Sequence, residues 1–144
     1  MSEYLLRDLL VEVIQGDDYQ AVDGRAVLIT GRGVCWPAAL AGAKLIVYAP
    51  HTDCGAQVAS VLSPLSILEI DGIYTPAAAP IPATLTTPLV PGTTAMAQFD
   101  LTRVDTLKLS TGVRRYMFEV RGLFASGGVT TLARGLVNVY PGGL

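Results

Sequence analysis

Polar and apolar residues alternate at a spacing of two along much of this 144-residue chain, and no segment sustains the spacing of a long amphipathic helix. The clearest run is Val113 to Arg121. There Tyr116, Phe118 and Val120 fall on one side of an extended segment, and Arg115, Glu119 and Arg121 on the other. Ser126-Gly127-Gly128 supplies the positive backbone dihedrals of a tight reversal, and Val129 to Val139 follows as a second Val/Thr-rich run. The two runs predict a long terminal β-hairpin. Gly135, interior to its second strand, predicts a bulge or a close approach of another backbone. Pro141 closes the hairpin, because proline cannot donate to a ladder.

Upstream, Leu9 to Ile14 alternates like a strand, while the residues before it suit a short helix or an arm. Gln15-Gly16-Asp17-Asp18 predicts a turn with Gly16 in the awkward conformation and the aspartates bonding local backbone. Arg25–Thr30 and Ala43–Ala49 read as strands, separated by turns at Gly31-Arg32-Gly33 and Leu40-Ala41-Gly42. Val61–Ile70 predicts one or two short strands around Pro64, with Asp71-Gly72 as a turn. Tyr74–Pro91 is rich in Ala, Pro and Thr and predicts extended coil, an insertion of the kind that meets a partner. Thr93–Leu101 alternates again, with Ala95, Ala97 and Phe99 on one side and Met96 and Gln98 on the other. Thr102 and Asp105 predict one capped helical turn, seated on the core by Leu107 and Leu109. Strands at short intervals with Gly/Pro turns predict an all-β protein: a single immunoglobulin-like or jelly-roll-type β-sandwich over residues 1–144. It carries an N-terminal arm (1–10) and a long Pro/Ala-rich loop (74–91).

The order of these segments resembles small β-sandwich domains of tailed bacteriophages, similar to the N-terminal domain of baseplate upper proteins and tail-fibre attachment proteins. The residues that carry the resemblance begin with Val13-Ile14-Gln15-Gly16-Asp17-Asp18-Tyr19, a Gly-Asp turn after the first strand. Leu40-Ala41-Gly42-Ala43 opens a later strand in the same manner. Ala97–Thr102, Asp105-Thr106-Leu107 and Tyr116–Val120 follow, and Leu132-Ala133-Arg134-Gly135-Leu136-Val137-Asn138-Val139 ends the set. The long Pro-rich stretch and the extra N-terminal arm depart from that pattern. The resemblance implies a structural role in a virion, made in the cytoplasm of a host bacterium, with tail, fibre or capsid subunits as partners.

Composition narrows the function further. The chain is 51% hydrophobic and 15% charged, so part of its surface is expected to be covered by partners or by further copies of itself. A net charge of −2 with no basic block gives nucleic acid no electrostatic footprint. Five prolines between Gly72 and Phe99 exclude a spanning helix from the longest uncharged stretch, and early charges at Glu3, Arg7, Asp8 and Glu12 argue against a signal peptide. No membrane partner is expected.

Several constellations invite chemistry, and each has a plainer reading. His51, Asp53 and Cys54 offer zinc-type ligands, but no second ligand pair has matching spacing. Cys35 or Cys54 with His51 lacks the surroundings of a nucleophile pair, and a Cys35–Cys54 bridge stays open beside two free thiols. Asp17, Asp18 and Asp23 lack the spacing of a calcium loop, and Gly31-Arg32-Gly33 is too short for a phosphate cradle. Neither an enzyme nor a cofactor is expected. Trp36, Tyr48 and Tyr74 would serve a carbohydrate- or receptor-binding module only if they shared one exposed face. Arg114, Arg115, Arg121 and Arg134 gather on the hairpin, either as a solvated face paired with Glu119 or facing an acidic neighbour. The expected protein interface comprises Leu5, Leu6 and Leu9 of the arm, with Leu10 beside them, then Trp36, Tyr74, Pro80 and Pro82, then Arg114 and Arg115. An adaptor between tail or baseplate and fibre components fits these expectations, as does a capsid decoration protein clasping neighbouring subunits.

Overall fold

A computed structural model describes residues 5–31, 34–48, 66–77, 94–111 and 116–142. Among the described residues, seven strands form one hydrogen-bonded sheet: β1 (Leu6–Ile14), β2 (Val27–Thr30), β3 (Leu40–Tyr48), β4 (Ser66–Thr75), β5 (Met96–Phe99), β6 (Tyr116–Phe124) and β7 (Val129–Tyr140). Their order across the sheet is β1-β7-β6-β3-β4-β5-β2. All neighbours are antiparallel except β1 and β7, which run parallel. A 3-10 turn, Ala21–Asp23, and a short helix, α1 (Arg103–Leu107), fill two of the connections. The all-β expectation therefore holds, in the form of one curled mixed sheet.

The curl has a local cause. β4 pairs with β3 from Ser66 to Gly72, then with β5 from Ile73 to Thr75. Asp71-Gly72, expected as a turn, is thus the point where one continuous strand changes partners. Gly72 is needed there because a Cβ would overlap the Phe99 ring and the Gln98 carbonyl. The same absence of a side chain that suggests a reversal here permits close packing across a bend. Leu40-Ala41-Gly42 is likewise no turn. It opens β3, with a register slip against β6 that accommodates the extra residue.

Inside the curl, one apolar cluster draws on every strand. Val13, Ile29, Leu45, Leu68, Tyr74, Phe99, Phe118 and Leu132 meet in it. Tyr116, Phe118 and Val120 are buried as their alternation predicts, and so are Ala95, Ala97 and Phe99. The terminal hairpin closes through Gly127 at φ 94, with Phe124 N–H bonded to the Gly128 carbonyl at 2.9 Å. Gly135 meets its expectation too. It pairs with Leu9 across the parallel ladder, and a Cβ would strike the Leu9 backbone.

α1 is held by a full capping box. The Thr102 hydroxyl accepts from Asp105 N–H, and the Asp105 carboxylate accepts from Thr102 N–H at 2.9 Å. Of the two leucines expected to seat it, Leu109 is buried and Leu107 is exposed. Thr106 takes the second place: wholly buried, its hydroxyl donates to the Asp17 carbonyl at 2.9 Å and accepts from Gly16 N–H at 3.0 Å.

Candidate interaction surface

Alternation along each strand sends the second set of side chains to the outer, convex face of the sheet. Cross-strand register aligns them into rows. One row runs Leu10 on β1, Leu136 on β7, Met117 on β6 and Tyr48 on β3. Leu10 is 51% exposed, and beyond the next row Ile14 and Tyr140 are exposed as well. The Tyr140 hydroxyl donates to the Glu12 carboxylate, so the one acid among these residues is engaged at its rim.

Next to this apolar row lies a paired lattice of charge. Glu119 on β6 accepts from the Tyr48 hydroxyl at 2.8 Å, from Arg121 at 3.3 Å and from Arg134 at 3.4 Å. Lys44 on β3 stands 3.7 Å from Glu69 and 3.8 Å from Asp71, both on β4. Burial of Tyr48 pushes its hydroxyl above the ordinary phenol range; the hydrogen bond to Glu119 and that carboxylate's charge add to the shift, while Arg121 opposes it. Burial alone raises Tyr74. Opposite charges set side by side on a sheet stabilise it modestly and leave little net field to attract a charged ligand. Arg121 and Arg134 thus follow the solvated reading, paired with Glu119.

The structure divides the expected interface residues. Leu6 and Leu9 are half-buried, packed against the core cluster, and together with Leu10 they belong to β1 rather than to a separate arm. Leu5 precedes that strand, partly exposed. Parallel pairing with β7 draws this segment onto the sheet. Trp36 and Tyr74 are corrections to the expectation, since both are interior. A Cβ on Gly31 would stand 2.9 Å from the Trp36 ring, so the glycine makes the indole's seat. The Tyr74 ring lies 6.3 Å from that of Trp36, and its hydroxyl donates to the Pro37 carbonyl at 2.8 Å. Pro80, Pro82, Arg114 and Arg115 lie outside the described residues, as do His51, Asp53 and Cys54.

Other candidate chemistry is taken up by structure. Asp17 pairs with Arg25 at 3.4 Å, and the Asp18 carboxylate accepts from the Arg103 N–H at 2.6 Å, far along the chain rather than locally. Among the described residues no three metal-ligating groups converge, and no helix is long and apolar enough to cross a membrane. Trp36, Tyr48 and Tyr74 share no exposed face: two are in the core, and Tyr48 is on the outer side of β3, itself buried. The condition set for a sugar-stacking platform is not met.

Fold and surface together define a curled, mixed seven-stranded β protein with an apolar row reaching an edge strand. No family model matches the chain, and neither the curated proteins nor the solved structures offer a match.

Proposed function

We propose that this chain is a non-enzymatic structural protein of a tailed-bacteriophage virion, an adaptor that joins tail or baseplate and fibre components through protein–protein contacts. One observation carries the reading: the Leu10–Leu136–Met117 row runs out to an edge strand with Leu10 half in water. Exposed apolar side chains in register beside an open strand edge suit a surface that another subunit covers. The sequence resemblance adds support through the Gly16-Asp17 turn after β1 and the Leu132–Val139 run along β7, while its Leu40-Ala41-Gly42 turn is here the first residues of β3. In this reading the curl at Gly72 makes two layers of a small sandwich, β4 serving both, and the stiff sheet holds the docking row in place.

The test is cross-linking of intact particles followed by mass spectrometry. Links from β1 or β7 to tail, baseplate or fibre subunits support the adaptor role. Links to the major capsid subunit would replace it with capsid decoration, and absence from purified particles would overturn the virion reading altogether.

A further inference from the structure

The open edge of β1 is bounded by two stops, and Val11 lies midway between them. The Gln15 N–H bonds to the Tyr140 carbonyl at 2.9 Å. In a parallel ladder that phase sends the amides of Leu9, Val11 and Val13 to β7 and turns those of Leu10, Glu12 and Ile14 away. Ile14 is already satisfied. Its N–H donates to the Tyr19 hydroxyl at 2.7 Å, and its carbonyl accepts from Asp17 N–H at 3.1 Å. At the other end Asp8, at φ 58, takes the backbone out of the extended region, and the register slips between Leu6 and Leu9. Between these stops the N–H and C=O groups of Leu10 and Glu12 face outward with no backbone partner among the described residues.

We propose that this edge is completed by β1 of a second copy of the chain, running antiparallel about a two-fold axis at Val11. The inference deepens the assembly reading above and rests on it. In this register Leu10 and Glu12 of each copy exchange backbone hydrogen bonds with Glu12 and Leu10 of the other, so every outward amide of the window is used. On the inner face Leu9 meets Val13 and Val11 meets its symmetry mate, all apolar contacts. On the outer face each Leu10 lies against the aliphatic stem of the other copy's Glu12. The neighbouring two-fold registers are worse. Centring on Leu10 sets Glu12 opposite Asp8, and centring on Glu12 sets that acid opposite itself; like charges directly opposed destabilise a ladder. A shift by an odd number of residues faces outward amides with residues already bonded to β7. Because both stops are equidistant from Val11, a second copy fits the window without forcing Asp8 or Ile14 to rearrange.

The full-length protein is examined by size-exclusion chromatography with light scattering at micromolar concentration. The expected mass is that of two 15.1 kDa chains. Glu12→Pro removes an N–H that points away from β7 and leaves the internal ladder whole, so it is expected to give a monomer that is still folded by circular dichroism. Cross-linking supplies a second reading should that variant fail to fold. In a Cys35→Ser, Cys54→Ser background, Val11→Cys is expected to form a disulfide dimer on mild oxidation. A non-hydrogen-bonded antiparallel pair has its Cα atoms about 4.5 Å apart. A monomeric wild-type protein, a dimer indifferent to Glu12→Pro, or bridging by Leu10→Cys or Glu12→Cys in preference to Val11→Cys would each overturn the proposal. A monomer would leave the adaptor reading to be decided by the particle cross-links, so the two can fail separately.

Discussion

Thr106 shows how a single buried polar side chain ties distant parts of this chain together. Its buried hydroxyl joins the Gly16–Asp17 turn to α1, serving a backbone donor and a backbone acceptor that are themselves part-buried. Thr106→Val keeps the shape and leaves both groups unpaired, which should lower the unfolding free energy by about 1–3 kcal/mol. Urea denaturation would measure it, and an unchanged midpoint would show that the turn finds another partner. The motif Asp105-Thr106-Leu107 was visible in the sequence, but its apolar neighbours drew the expectation. Nothing local distinguishes a threonine that caps a remote turn from one that faces solvent. Asp18 makes the same point, because its partner amide on Arg103 lies across the fold.

Among the elements, β4 decides the shape. Its change of partner at Gly72 bends one sheet around one core, and Phe99 fills the space that the glycine leaves. Gly72→Ala should cost about 2–3 kcal/mol through overpacking, read as a fall in melting temperature. Two tyrosines, Tyr48 on β3 and Tyr74 on β4, carry an alkaline pH dependence. Tyr48 and Tyr74 hold their protons more tightly folded than unfolded. Their stabilisation is therefore complete below the unfolded tyrosine pKa of about 10 and is lost as pH rises from there through the folded values. Tyr48→Phe should flatten that alkaline loss, as measured by thermal melts at increasing pH. A slope unchanged by the substitution would mean that ionisation of the buried Tyr48 hydroxyl contributes nothing to it.

At the scale of the whole molecule, the question is what the outer face meets. Leu10→Asp places a charge in the apolar row at a half-exposed position. The isolated chain should change in stability by no more than about 0.5 kcal/mol. On the proposed virion role, incorporation into particles should fall several-fold, scored by the protein content of purified virions from a complemented deletion. Full incorporation would remove this row from the docking surface. The paired charges around Glu119 predict little effect of moderate salt on the same assembly, because they leave no strong net field.

Alternation determined the all-β class and the inner face of β6; with the Ser126-Gly127-Gly128 turn it determined the terminal hairpin, and the Thr102 and Asp105 side chains determined the capped turn. Each depends on neighbours within a few residues, which the chain order itself supplies. The meaning of Gly72, the burial of Trp36 and Tyr74, the attachment of β1 to β7 and the row ending at Leu10 were decided by tertiary structure. A glycine reads the same whether it reverses a chain or admits a ring, and an aromatic reads the same in a core or at an interface. Only the pairing of strands far apart in sequence separates them: β1 finds β7 across almost the full length of the chain, and that contact decides which amides remain open.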